Sequence, residues 1–127
     1  MVVMEGGETG AGAAHCDEHR AIACRARAII CENVDQHITI ADLARRCGCS
    51  QTALKEAFRE TFGMPVYSWS KHYRMMRAAY LLTNTRLTVA TIASGVGYAN
   101  QSKFAQAFVA CMRMTPSTWR KRHGCTL

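Results

Sequence analysis

Two segments of the chain decide its fold: TIADLARRCGCSQTALKEAFRETFG at residues 39–63 and TVATIASGVGYANQSKFAQAFVACMR at residues 88–113. In each segment apolar residues recur at helical spacing on both sides of a central glycine, Gly48 in the first and Gly97 in the second. A glycine ends a helix well because it tolerates positive φ, and polar residues soon after it can cap the next helix. Each segment therefore predicts a short helix, a tight turn and a second helix.

The two segments repeat one pattern, so the chain contains a unit of about fifty residues twice. A small residue, Ala44 or Ala93, lies where the two helices of each unit must cross closely. Most matched pairs are separated by 49 residues and two by 50, which places one extra residue before the second helix of the later copy. The pairs are Thr39 with Thr88, Ile40 with Val89, Leu43 with Ile92, Ala44 with Ala93, Gly48 with Gly97, Leu54 with Phe104, and Phe58 with Phe108.

The rest of the chain is predicted to form further helices with short connections. With 49% hydrophobic residues and two prolines, the composition favours a packed all-α fold. We predict about seven helices, in which two helix-turn-helix units are joined by a long linker helix. In chain order we expect a flexible leader (1–16), a helix (17–34), the first helix-turn-helix (39–63), the linker helix (66–83), the second helix-turn-helix (88–113), a last helix to residue 123, and a tail (124–127), with the domain spanning 17–123.

Positive charge is concentrated in the later part of the chain. Residues 36–127 hold thirteen basic and three acidic side chains, whereas residues 1–35 hold three basic and six acidic ones. A segment this basic attracts polyanions such as nucleic acid. No apolar run is long enough for a membrane span, and the N-terminal residues do not read as a secretion signal. The seven cysteines are then expected as reduced thiols of a cytoplasmic protein.

The second helix of each unit is expected to expose a polar face. Such side chains hydrogen-bond to base edges and phosphates, and a helix fits the major groove of duplex DNA. A solvated surface helix shows the same composition, so the duplication and the basic charge favour DNA. The exposed residues are Gln51, Thr52, Lys55, Glu56 and Arg59 in the first unit, and Gln101, Ser102, Lys103 and Gln106 in the second.

The pattern resembles the DNA-binding domain of the AraC/XylS family of bacterial transcription regulators over about residues 22–123. The motifs that carry the resemblance are Ile40 to Ala44, Phe58, Gly63, Tyr67, Arg74, Ala78, Leu82, Ile92-Ala93, Gly97-Tyr98, Phe104, Phe108, Thr115 to Ser117, and Trp119-Arg120. The family implies seven helices, with both recognition helices in successive major-groove segments about one helical turn apart. By position it places base contacts on Thr52, Lys55, Glu56, Gln101, Ser102, Lys103 and Gln106, and phosphate contacts near Thr39 and Thr88 and on Arg59, Arg86 and Arg120.

The resemblance also implies partners, and the chain departs from the family pattern at several positions. Promoter DNA and RNA polymerase are the expected partners, together with a sensing domain if the chain is part of a longer protein; no cofactor is expected. Glu56 lies where the family often has arginine, and Ala105, Gln106 and Val109 replace polar or basic residues, so we expect weaker base contacts from the second recognition helix. Arg113 stands where a glycine is usual, which predicts a reshaped turn before Thr115.

Of three other classes of function, the motifs argue against one and leave two as alternatives. No nucleophile elbow, metalloprotease, P-loop or dinucleotide motif is present, which argues against an enzyme. A Cys/His metal or redox site is an alternative, because His15, Cys16, His19 and Cys24 lie within ten residues. A helical protein-interaction module with weak DNA binding is the other alternative.

Overall fold

The computed structural model describes residues 10–124, with side chains from residue 17 onward. This described part of the chain contains seven helices and no strand, which confirms the predicted all-α fold class. The helices are α1 (Gly10–Glu32), α2 (Ile40–Cys47), α3 (Gln51–Phe62), α4 (Val66–Asn84), α5 (Val89–Gly95), α6 (Gln101–Met112) and α7 (Pro116–His123).

The first helix begins earlier than the sequence pattern predicts. The flexible leader was expected over residues 1–16, but α1 begins at Gly10, so residues 10–16 are helical. Three of these seven residues are alanine, which has the highest helix propensity. Residues 1–9 of the predicted leader and 125–127 of the predicted tail lie outside the described residues.

The chain divides into two compact units, each with one helix-turn-helix segment. Among the described residues, the first unit contains residues 10–30 together with Ile38–Val66. The second unit contains Cys31–His37 and residues 67–124. Helices α2 and α3 therefore belong to the first unit, and α5, α6 and α7 belong to the second.

The first unit buries one apolar face from each of its helices. Leu54 and Phe58 of α3 have no exposed surface, and Leu43 of α2 is 1% exposed. The ring of Phe62 packs edge-on against Phe58, with 4.7 Å between the ring centroids. The other buried apolar residues of this unit are Ile22, Ala23, Ala26, Ile30, Ala44, Cys47, Ala57 and Val66.

The second unit repeats this arrangement around two phenylalanines of α6. Phe104 and Phe108 are fully buried, and the ring of Trp119 from α7 packs edge-on against Phe108 at 5.8 Å. The indole Nε1 of Trp119 donates a hydrogen bond to the Thr83 hydroxyl at the end of α4 over 3.2 Å. The remaining buried members of this core are Met75, Ala78, Ala79, Leu82, Ile92, Ala93, Val96 and Ala107.

Both turns have the same backbone geometry. The central glycines have φ of +74° and +91°, a region that L side chains rarely adopt. The main-chain N–H of the residue after each glycine bonds back across the turn, from Cys49 to Ala44 over 3.0 Å and from Tyr98 to Ala93 over 2.9 Å. The two alanines are 2% and 1% exposed, as expected for the close crossing of two helices.

The prediction of a reshaped turn at Arg113 is wrong. Arg113 adopts φ +70° and ψ +10°, close to the +78° and +6° of Gly63 at the same place in the first unit. Its main-chain N–H donates to the Val109 carbonyl over 2.8 Å, as that of Gly63 donates to Arg59 over 2.9 Å. The helix-ending hydrogen bond therefore holds the arginine in the left-handed conformation and keeps the turn unchanged.

Candidate nucleic-acid interface

The first candidate recognition helix, α3, presents every residue that the sequence predicts for it. The Ser50 hydroxyl accepts a hydrogen bond from the Ala53 N–H over 3.0 Å, which caps the helix. Burial of Leu54, Ala57 and Phe58 fixes the rotation of α3 about its axis. The residues left exposed are Gln51, Thr52, Lys55, Glu56 and Arg59.

The second candidate recognition helix, α6, is built in the same way. The Asn100 side chain accepts from the Lys103 N–H over 3.1 Å, so Asn100 is the capping residue. Burial of Phe104, Ala107 and Phe108 sets the orientation of α6. The exposed side chains include Gln101, Ser102, Lys103 and Gln106, as predicted.

The basic residues predicted outside the recognition helices have different surroundings. Arg86 is exposed in the connection between α4 and α5, two residues before the cap of α5. Arg120 is half-buried and donates from Nε to the Leu82 carbonyl over 3.1 Å and from Nη2 to the Thr85 carbonyl over 3.2 Å. These bonds hold α7 against the end of α4, so Arg120 has a structural role that its sequence position did not reveal.

The helix starts near Thr39 and Thr88 are capped by those threonines. The Thr39 hydroxyl accepts from the Asp42 N–H over 3.0 Å, and the Thr88 hydroxyl accepts from the Thr91 N–H over 3.1 Å. A helix N-terminus carries partial positive charge from its main-chain N–H groups. Phosphate contacts from these two starts would therefore come from the main chain.

His19, one of the candidate metal ligands, is buried in the first unit, where it contacts Glu60. It is 6% exposed, and its Nδ1 lies 3.1 Å from a carboxylate oxygen of Glu60 on α3. The pair joins α1 to the first recognition helix. No group of three or more His, Cys, Asp or Glu side chains that could hold a metal occurs among the described residues. The side chains of His15 and Cys16 lie outside them.

The Cys47-Gly48-Cys49 motif has a structural explanation. Cys47 is 3% exposed, and burial, followed by the nearby Cys49, raises the pKa of its thiol. A raised pKa keeps the thiol protonated, so Cys47 behaves as a small apolar core residue. Its main-chain carbonyl accepts a hydrogen bond from Arg25 over 3.1 Å, which fixes the end of α2 against α1.

The described residues form two helix-turn-helix elements, and the second helix of each is capped and exposes polar side chains. This arrangement is typical of a helix-turn-helix DNA-binding domain. The family described as "Helix-turn-helix domain" matches residues 43–122 of the chain. The "Arabinose operon regulatory protein" of Salmonella typhimurium strain LT2 is 35% identical over 91 residues, which are 72% of this chain and 32% of that protein. The chain spans about a third of the length of the curated relatives that it matches.

Solved structures agree in fold. The C-terminal domain of AraT, a response regulator from Geobacillus stearothermophilus, superposes with a TM-score of 0.78 at 29% identity, covering 83% of this chain and 88% of that one. The DNA-binding domain of AdpA, solved in complex with a target DNA, has a TM-score of 0.74 at 20% identity, with 79% and 90% covered, and supports the fold. The chain belongs to the AraC/XylS family of helix-turn-helix DNA-binding domains. None of the helices in the described part of the chain combines the length and apolar character that a membrane crossing requires.

Proposed function

We propose that the chain regulates transcription by binding duplex promoter DNA sequence-specifically, with α3 and α6 each entering a segment of major groove. The observation that carries this proposal is the duplicated face: two helices of twelve residues, each buried along one side and each exposing polar side chains on the other. A rigidly seated helix with an exposed polar face can place several side chains against base edges at once.

The exposed residues divide by the groups they would contact. Side chains near the start of a recognition helix reach base edges, whereas arginines at its end and in flanking loops reach phosphates. We assign base contacts to Gln51, Thr52, Lys55 and Glu56 on α3 and to Gln101, Ser102, Lys103 and Gln106 on α6. We assign phosphate contacts to Arg59, Arg86 and the exposed part of Arg120.

The charge distribution supports the proposal. Residues 36–127, which contain both recognition helices, hold ten more basic than acidic side chains. Contacts from such a surface to phosphates release counterions, which makes the affinity fall as salt rises. Base contacts add discrimination between sequences, which is largely independent of that charge.

Further partners follow from the family and from the length of the relatives. We propose that RNA polymerase is contacted at the promoter, and that a sensing domain is a further partner if the chain is part of a longer protein. The chain spans about a third of the length of the matched relatives. The protein would then act in the cytoplasm, on the nucleoid. The relatives are named as regulatory proteins, which does not favour the interaction-module alternative.

Selection from a randomised duplex library tests the proposal. The enriched duplex and a scrambled duplex of equal composition are then titrated by fluorescence anisotropy at several salt concentrations. We expect tighter binding to the enriched duplex by about 10³-fold or more. The variant Lys55→Ala should reduce that preference, whereas Arg20→Ala, on an exposed position of α1, should not. No enrichment of any sequence, or equal affinity for both duplexes, contradicts the proposal.

A further inference from the structure

The two recognition helices present equivalent positions in the same order. Both have twelve residues, both begin after a side-chain cap, and both end at a residue with positive φ. Their buried residues correspond at a separation of 50, from Leu54 with Phe104 to Phe58 with Phe108. The outward positions therefore also correspond at 50, and the two faces can be compared residue by residue.

The chemistry of the two faces differs. The first two outward positions are alike in both helices: Gln51 and Thr52 correspond to Gln101 and Ser102. Lys103 is exposed on α6 but corresponds to Ala53, which is half-buried on α3. The four outward positions that follow are all charged on α3 and all uncharged on α6. On α3 they are Lys55, Glu56, Arg59 and Glu60, and on α6 they are Ala105, Gln106, Val109 and Ala110.

Each set of side chains matches a different base pair in the major groove. Lysine donates to the O6 and N7 atoms of guanine, and a carboxylate accepts from the N4 amine of cytosine. A side-chain amide makes two hydrogen bonds to the N6 and N7 atoms of adenine, and an apolar side chain contacts the 5-methyl group of thymine. Lys55 and Glu56 therefore suit G·C pairs, whereas Gln106 and Val109 suit A·T pairs.

We propose that the DNA site is divided in composition: α3 reads a segment whose determinants are G·C pairs, and α6 reads a segment whose determinants are A·T pairs. This inference rests on the proposed function. Gln106 recognises an adenine, and Val109 contacts a thymine methyl group. Val109 is 39% exposed although it is apolar, and contact with thymine would remove this surface from water.

The low charge of α6 fits this division. Phosphate contacts supply most of the affinity but carry no sequence information, whereas discrimination comes from base edges. Arg86, which is exposed in the second unit, supplies positive charge for phosphates, while Lys103 donates to an acceptor on a base edge, such as adenine N7 or thymine O4. Uncharged groups on α6 can therefore recognise sequence even though the helix contributes little to the salt dependence.

Substitution of the DNA itself tests the proposal without altering the protein. Thymines in the segment protected by α6 are replaced by deoxyuridine, which removes only the 5-methyl group and leaves every hydrogen-bonding atom in place. We expect the affinity to fall by about fourfold for each contacted methyl group. The variant Val109→Ala should lose most of this sensitivity, whereas Met76→Ala, which is 51% exposed on α4, should retain it.

A second arm tests the first recognition helix. The variant Glu56→Gln should lose its preference for cytosine at one position of its segment and leave the deoxyuridine effect unchanged. Sequence-specific binding without any deoxyuridine effect, or with the same base composition in both segments, overturns this inference and leaves the proposed function standing. Failure of the chain to enrich any sequence overturns the proposed function itself.

Discussion

The guanidinium of Arg74 on α4 donates a hydrogen bond to the main-chain carbonyl of Val96 over 2.9 Å, in the interior of the second unit. The same group donates to the Gln36 carbonyl over 2.6 Å and to the Val34 carbonyl. Arg74 is 6% exposed, and burial lowers its pKa. Because Val96 directly precedes the turn glycine, this arginine fixes the turn that leads into α6.

We expect Arg74→Lys to destabilise the chain. A lysine has one nitrogen where the guanidinium serves three carbonyls, so it leaves buried acceptors unpaired, at a cost of about 1.5–3 kcal/mol in the free energy of unfolding. Arg77→Lys is the matched control, because Arg77 is exposed and stacks over the Tyr80 ring at 5.5 Å. Its cost should stay below about 0.5 kcal/mol in urea unfolding. Equal losses for the two variants would contradict the role of Arg74.

The two turn glycines should differ in their tolerance of alanine. Gly48→Ala adds a methyl group that meets no atom within 4 Å, so only the positive φ is strained, at about 1 kcal/mol. Gly97→Ala adds the same strain and also drives the methyl group into the guanidinium of Arg74. Loss of a hydrogen bond from that charged group raises the cost of Gly97→Ala to about 2–4 kcal/mol in the free energy of unfolding. Chemical unfolding of both variants measures the difference, and a smaller loss at Gly97 would be incompatible with the packing described.

Arg113→Gly should stabilise the chain. A non-glycine residue at positive φ costs about 1 kcal/mol, and glycine removes this strain without disturbing the bond to Val109. Gly63→Ala, at the equivalent position in the first unit, should destabilise by a similar amount for the same reason. In thermal unfolding, the Tm should therefore rise for Arg113→Gly and fall for Gly63→Ala. A shift in the same direction would refute the assignment of strain at Arg113.

Stability should decline in alkaline solution partly because of Cys47. Its pKa is raised above the ordinary value of 9.0, chiefly by burial, so the folded state holds the thiol proton more tightly than the unfolded state. This contribution is complete below pH 9.0 and is lost as pH rises through the higher pKa of the folded state. The free energy of unfolding, measured between pH 7 and pH 10, should fall less steeply for Cys47→Ala than for the parent chain. Parallel curves would show that this thiol does not contribute.

The sequence was sufficient to predict the elements that local rules govern. The turn glycines, the polar cap Ser50 that follows the first of them, and the buried faces of α3 and α6 all follow from short-range periodicity and backbone preference. The outward faces of the recognition helices follow from the same periodicity, because a seated helix can expose only one side.

The sequence could not predict the roles that depend on distant contacts. The sequence named Arg74 only as a motif residue and His19 only as a candidate metal ligand, yet both are buried and bonded to elements about forty residues away. Arg120 is expected from the sequence only as a phosphate contact, and the hydrogen bonds of its guanidinium to the carbonyls of Leu82 and Thr85 are an additional, structural role. Long polar side chains are buried only where the fold supplies partners, and no local pattern records those partners.

Hydroxyl-radical footprinting of the chain on its selected duplex tests the central claim most directly. We predict two separate protected segments, one lost in a variant of α3 such as Lys55→Ala and the other weakened in a variant of α6 such as Gln106→Ala. A single protected segment, or loss of the same segment in both variants, would contradict the claim that two recognition helices read the DNA.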